Sequence, residues 1–163
     1  MSDDTAPALQ LLDAFTTAWC ARDASAVTAL FDADDIAVTC LLADAIDPAI
    51  GMSAIGADLA TRCAATTRIV LRCHDIAARR LADEVISAFF LVDRGHTDSG
   101  GVLIGRQVRA TLVARRRPTG WRIAHYAEAP LAPLLELQAY YERVAAAGLD
   151  AIPPRPWTMR APS

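Results

Sequence analysis

The stretch "GWRIAHYAEAPLAPL", residues 120–134, alternates for eight residues and then meets two prolines. Side chains on a strand point to opposite faces in turn, so Trp121, Ile123, His125 and Ala127 are expected on one face. Arg122, Ala124, Tyr126 and Glu128 are expected on the other. Pro130 has no N–H and restricts Ala129 before it, so the strand ends there. Pro133 suits the first turn of a helix with Leu134, Leu137, Tyr141 and Val144 on one side and Gly148 as its stop. A proline-rich arm, "AIPPRPWTMRAPS", follows.

Working back from this strand, the segments "TRIVLRCHDIAARR", "EVISAFFLVD" and "VLIGRQVRATLVARR" have a period near two and are separated by turn-rich loops at "DRGHTDSGG" and "RRPTG". They predict an antiparallel meander. The first half has a different period. Thr5 or Asp4 can cap a helix with Pro7 in its first turn and Leu9, Leu12, Phe15 and Trp19 on one face. Asp23 can cap a short second helix carrying Val27, Leu30 and Phe31. "IAVTCLL", residues 36–42, predicts a strand, and Ser53 can cap a third helix with Ile55, Leu59 and Cys63 inward. Helices followed by a large antiparallel sheet make an α+β class with the helices gathered on one sheet face.

With 163 residues, 53% of them hydrophobic, the chain predicts one domain with one core. No apolar run reaches the roughly 18 residues of a membrane span, and the acidic start "MSDDTAPALQ" is unlike a secretory signal, so a soluble, cytoplasmic protein is expected. A formal charge of −3 argues against nucleic acid as partner. The basic run at Arg115–Pro118 is expected in a solvated turn. Cys20, Cys40, Cys63 and Cys73 lack C-x-x-C spacing and are expected reduced and buried.

"AWCARDASAVTALFDADD" near the start and "GWRIAHY" in the last strand resemble the nuclear transport factor 2-like superfamily, in its SnoaL-like and ketosteroid-isomerase-like branch. The resemblance spans about residues 8–129. It implies a cone-shaped, curved antiparallel sheet wrapped around the N-terminal helices (cystatin-like), an apolar cavity, and a homodimer paired through the sheets, with Tyr126 and Glu128 at the dimer contact or in solvent, or Glu128 in the pocket at the strand end. Residues 1–129 form the domain on this reading, with the helix and arm of residues 130–163 belonging to it. The ketosteroid-isomerase base position, after "DDIAVTC", falls on Cys40, and the tyrosine oxyanion donor of that family falls near Phe15 or Trp19. Neither substitution supports steroid isomerisation. The final-strand histidine of polyketide cyclases is matched by His125.

The candidate site therefore has His125 as the proton-transfer group, with Asp44 or Asp47 as its carboxylate partner and Asp44 carried forward. Phe15, Trp19, Cys40, Ile123 and Tyr141 are expected to line the ligand cavity, with Leu134, Leu137 and Tyr141 as a lid or side wall. Arg106 either binds an anionic substrate from inside or makes an outward salt bridge. Three histidines without paired spacing give no metal site, and no cofactor motif is present. The expected function is binding of a small, largely apolar organic molecule, with acid–base chemistry of isomerase, cyclase, dehydratase or hydrolase type. The competing reading is a non-catalytic binding or assembly domain whose cavity is filled by its own side chains.

Overall fold

The computed structural model describes residues 5–130, together with Glu142 and Ala146, which are both helical. The chain divides into two compact units, Met1–Pro130 with the last two residues and Leu131–Ala161. The expectations for Leu134, Leu137, Tyr141 and the proline-rich arm lie outside the described residues.

The first unit is an α+β structure. Its elements run α1 (Ala6–Cys20), α2 (Ala24–Thr28), β1 (Thr39–Leu41), β2 (Ala49–Ile50), α3 (Met52–Ala64), β3 (Thr66–Ala82), β4 (Val85–Asp98), β5 (Leu103–Arg117) and β6 (Gly120–Pro130). The curved, unclosed sheet has the order β2-β1-β6-β5-β4-β3. The four long strands form the expected antiparallel meander, but β1 joins β6 in parallel, with Thr39 opposite His125. None of the described helices is long and apolar enough to cross a membrane.

Local chemistry explains most of these elements. Asp23 caps α2 as its position predicts, its Oδ1 accepting from the Ala26 N–H at 2.9 Å. Helix α3 starts from Gly51 rather than Ser53, because Gly51 takes φ 85°, a backbone region that glycine enters without Cβ strain. The segment 36–42 yields only a three-residue strand. The loop expected at residues 93–101 is mostly strand. β4 runs on to Asp98, and Gly95 faces Gly105 across the pair, so these glycines lie within the ladder.

The core lies between α1, α3 and the concave sheet face. Phe15 stacks against Tyr126 at 4.9 Å between ring centroids and meets Trp19 edge-on at 6.2 Å. Phe31 closes one end through a bridge to Ile123. On β4 and β5 the inward positions carry Phe90 against Ala110 and Ala88 against Leu112, large against small.

One irregularity changes the reading of β6. Val113 pairs with His125 and Ala114 with Ile123, so a single step on β5 matches two steps on β6. Ala124 is the extra residue of a β-bulge, and beyond it the alternation reverses. Ile123, Tyr126 and Glu128 are all buried, whereas His125 is exposed on the outer face. The sequence expectation is thus corrected on both counts: Tyr126 and Glu128 point in, and His125 points out. Cys20 is also exposed, contrary to expectation, while all four cysteines are free.

Truncating Phe15 to Ala leaves a void between Trp19 and Tyr126, so Phe15→Ala should lose about 3–5 kcal/mol in denaturant unfolding.

Candidate functional site

The bulge delivers a buried polar cluster beneath the concave face. Glu128 accepts from Arg94 Nη2 at 2.5 Å and from the Tyr126 hydroxyl at 2.8 Å, both at Oε1, and from the Ala43 N–H at 3.1 Å at Oε2. The Arg94 and Glu128 side chains are 7% and 0% exposed, so this ion pair stands outside water. A buried pair adds little net stability, but removing one member strands the other, at about 3–5 kcal/mol. The Arg94 guanidinium also lies over the Trp19 ring at 5.3 Å. Burial, then the charge of Glu128, raises the Tyr126 hydroxyl well above its ordinary pKa, so it remains a donor.

Above this cluster opens a pocket of about 210 Å³ walled by Trp19, Ile69, Arg94, His96 and Arg106 and rimmed by Asp44 and Arg62. That is below the roughly 300–1,000 Å³ usual for drug-sized ligands, so a compact molecule fits best. Two of the lining residues carry a buried donor without a hydrogen-bond partner, Trp19 at Nε1 and Arg94 at Nε. Such groups carry a desolvation cost that an incoming acceptor would relieve.

His96 belongs to this wall, and sequence reasoning missed it by assigning it to a turn. The signal was present: Ile86, Ala88, Phe90, Val92 and Arg94 are inward at every second position, and His96 continues the series. Burial and the charges of Arg106 and Arg94 push its imidazole below the ordinary pKa, which leaves a neutral ring able to accept a proton. Asp44 is opposed by burial, but the hydrogen bond from Arg62 and the charges of Arg62 and Arg106 hold it below the usual carboxylate range.

Of the other residues singled out from sequence, Trp19 lines the pocket, whereas Phe15 and Ile123 are fully buried core residues. Cys40 lies under the pocket, its thiol pushed up to about 12 by burial and by the charge of Glu128, so it is protonated and inert. Asp44 and His125 are not brought together. Asp44 is held by Arg62 and Arg106, and His125 stands on the opposite sheet face because of the bulge. Arg106 faces inward and pairs there with Asp44, so its salt bridge is not the outward one expected. Among the described residues no cluster of three metal-ligating side chains occurs.

With the curved sheet, the first helix and this pocket in place, the architecture is that of a nuclear transport factor 2-like domain. The SnoaL-like domain model matches residues 8–133, and the chain belongs to that family. Solved structures similar to it include a protein of the NTF2-like family from Streptomyces avermitilis named as a putative dehydratase, 21% identical over 80% of this chain and 98% of that one, with TM-score 0.70. A ketosteroid isomerase-like protein from Erwinia carotovora atroseptica is 16% identical over 82% and 100%, with TM-score 0.66. A protein with a cystatin-like fold from Caulobacter vibrioides is 18% identical over 87% and 99%, with TM-score 0.68. No curated protein matches the sequence.

The three histidines should separate in an NMR pH titration. His74 resists its own desolvation through hydrogen bonds to Asp75 and Asp93 and is raised, whereas burial lowers His96, and partial desolvation lowers His125 although its residue is exposed overall. Imidazole signals should therefore show one histidine titrating above the ordinary histidine value and two below it, and His74→Asn should remove the high one.

Proposed function

We propose that this protein binds a small, largely apolar organic molecule through one carbonyl oxygen, in the pocket over Trp19 and Arg94. The observation that carries this reading is that two residues lining one compact pocket each keep a buried donor without a partner, Trp19 at Nε1 and Arg94 at Nε. A carbonyl oxygen seated against them would satisfy both, and the guanidinium would stabilise negative charge developing on that oxygen. His96, neutral and in the same wall, is the group suited to take a proton from the carbon beside the carbonyl. The proposed reaction class is therefore acid–base, of the isomerase or dehydratase type that the names of two similar structures suggest. His125 keeps a place only as an outer-face residue.

The alternative of a filled, purely structural cone is supported for the deep interior, where Phe15, Phe90, Ile123 and Tyr126 leave little room. It is not supported at the mouth, where the pocket opens. Pairing with a second copy is also proposed. Phe89 and Val70 are 44% and 40% exposed on strands of the outer face, and a second sheet would cover them.

Acetophenone serves as a probe because it is compact, apolar and carries one carbonyl. It should quench tryptophan fluorescence on binding, and Arg94→Lys, which keeps a cation beside Glu128 but removes the Nε donor, should weaken binding about tenfold, as expected for one lost hydrogen bond to a charged group. Unchanged affinity in Arg94→Lys would defeat the reading. In sedimentation, the wild type should run as a dimer at micromolar concentration and Phe89→Arg as a monomer.

A further inference from the structure

Arg94 and Arg106 stand directly opposite each other on β4 and β5, both turned toward the pocket. Like charges at such a cross-strand position repel, and each needs a counter-charge. Arg94 finds it in Glu128 from below. Arg106 finds it in Asp44, whose Oδ2 lies 3.3 Å from Nη2, while Oδ1 of the same carboxylate lies 2.6 Å from Arg62 Nη1. One carboxylate from the loop after β1 thus joins α3 to β5 across the pocket rim.

A carboxylate held between two guanidinium groups is the arrangement expected of a bound organic acid. Here the protein supplies that acid itself. The pocket is lined by Arg62, Arg94 and Arg106 with Asp44 and Asp98, and Asp58 and Glu128, outside the lining, pair with Arg62 and Arg94. Each of the three arginines that line the pocket is therefore already engaged by a carboxylate.

We infer that Asp44 is a specificity-determining residue: it fills the anion seat between Arg62 and Arg106, so the pocket selects an uncharged carbonyl compound over its carboxylate counterpart. The inference rests on the proposed carbonyl pocket for the choice of ligand, but the seat itself is defined by the Asp44 contacts alone. A carboxylate ligand entering the native pocket would meet Asp44 at the rim and find both neighbouring arginines engaged. Without the Asp44 charge, Arg62 retains Asp58 as a partner at 2.9 Å, and Arg106 is left with its charge unspent beside Arg94. The site would then attract an anion.

Acetophenone and benzoate test this, since they differ by a methyl group in place of a charged oxygen. By calorimetry the wild type should bind acetophenone at least tenfold more tightly than benzoate, and Asp44→Asn should invert that order by gaining benzoate affinity. Salt should weaken the gained binding, as it does for an exposed charge pair. Should acetophenone not bind the wild type, the carbonyl reading is overturned, and Asp44→Asn still decides the inference by whether it gains benzoate. Failure of folded Asp44→Asn to gain benzoate, or equal binding of both probes by the wild type, overturns it. If Asp44→Asn does not fold, Asp44→Ser takes its place. Loss of folding in both would make Asp44 a structural tie and overturn the inference as well.

Discussion

One residue too many in β6 organises the interior of this protein. At Ala124 the strand carries an extra position relative to β5, and everything beyond it turns over. Without that bulge Tyr126 and Glu128 would point away from the core and His125 would point into it. With it, a carboxylate and a phenol enter the concave face at the level where α1 crosses the sheet. An added residue disrupts the ladder locally and reaims the side chains after it, which is how bulges commonly serve sites.

The consequence is a charged group in a place where charges are costly. Glu128 is tolerated because three donors meet it, from Arg94, Tyr126 and the Ala43 backbone. Arg94 is tolerated because Glu128 and the Trp19 ring receive it. The cluster links β6, β4, α1 and the loop after β1. A partly satisfied network of this kind would cost more than an apolar core, so its completeness on the Glu128 side makes the two open donors on the Trp19 and Arg94 side more informative. Both belong to residues that line the pocket.

Around that pocket the arginines are arranged by strand register as much as by their number. Arg94 and Arg106 share a cross-strand pair, and two acids of different elements separate their roles. Glu128 anchors one from within the core. Asp44 engages the other at the rim, in contact with water, where an ion pair contributes little to stability. A buried anchor and an exposed counter-charge are different devices, even though each is a carboxylate beside a guanidinium.

Most of the secondary structure was legible from local signals. The helical spacing of Leu12, Phe15 and Trp19 predicted α1, and the Asp23 cap predicted α2. The alternation in the last half predicted a meander, and the motifs around "GWRIAHY" suggested the family before any coordinates. Period-two alternation assumes an unbroken ladder, however, and nothing in "RIAHYAE" announces that Ala124 will go unpaired. The bulge exists because β6 must pair with β5 on one side and β1 on the other while the sheet curves around α1, a condition set by partners distant in sequence. The same holds for Gly95, which reads as a turn residue until Gly105 is seen opposite it. The sequence by itself therefore determined the three helices, the four long strands, their order and the family. Which of His125, His96, Tyr126 and Glu128 face the interior was decided only by the tertiary structure, because strand register is a property of pairs of strands and one added residue inverts a face.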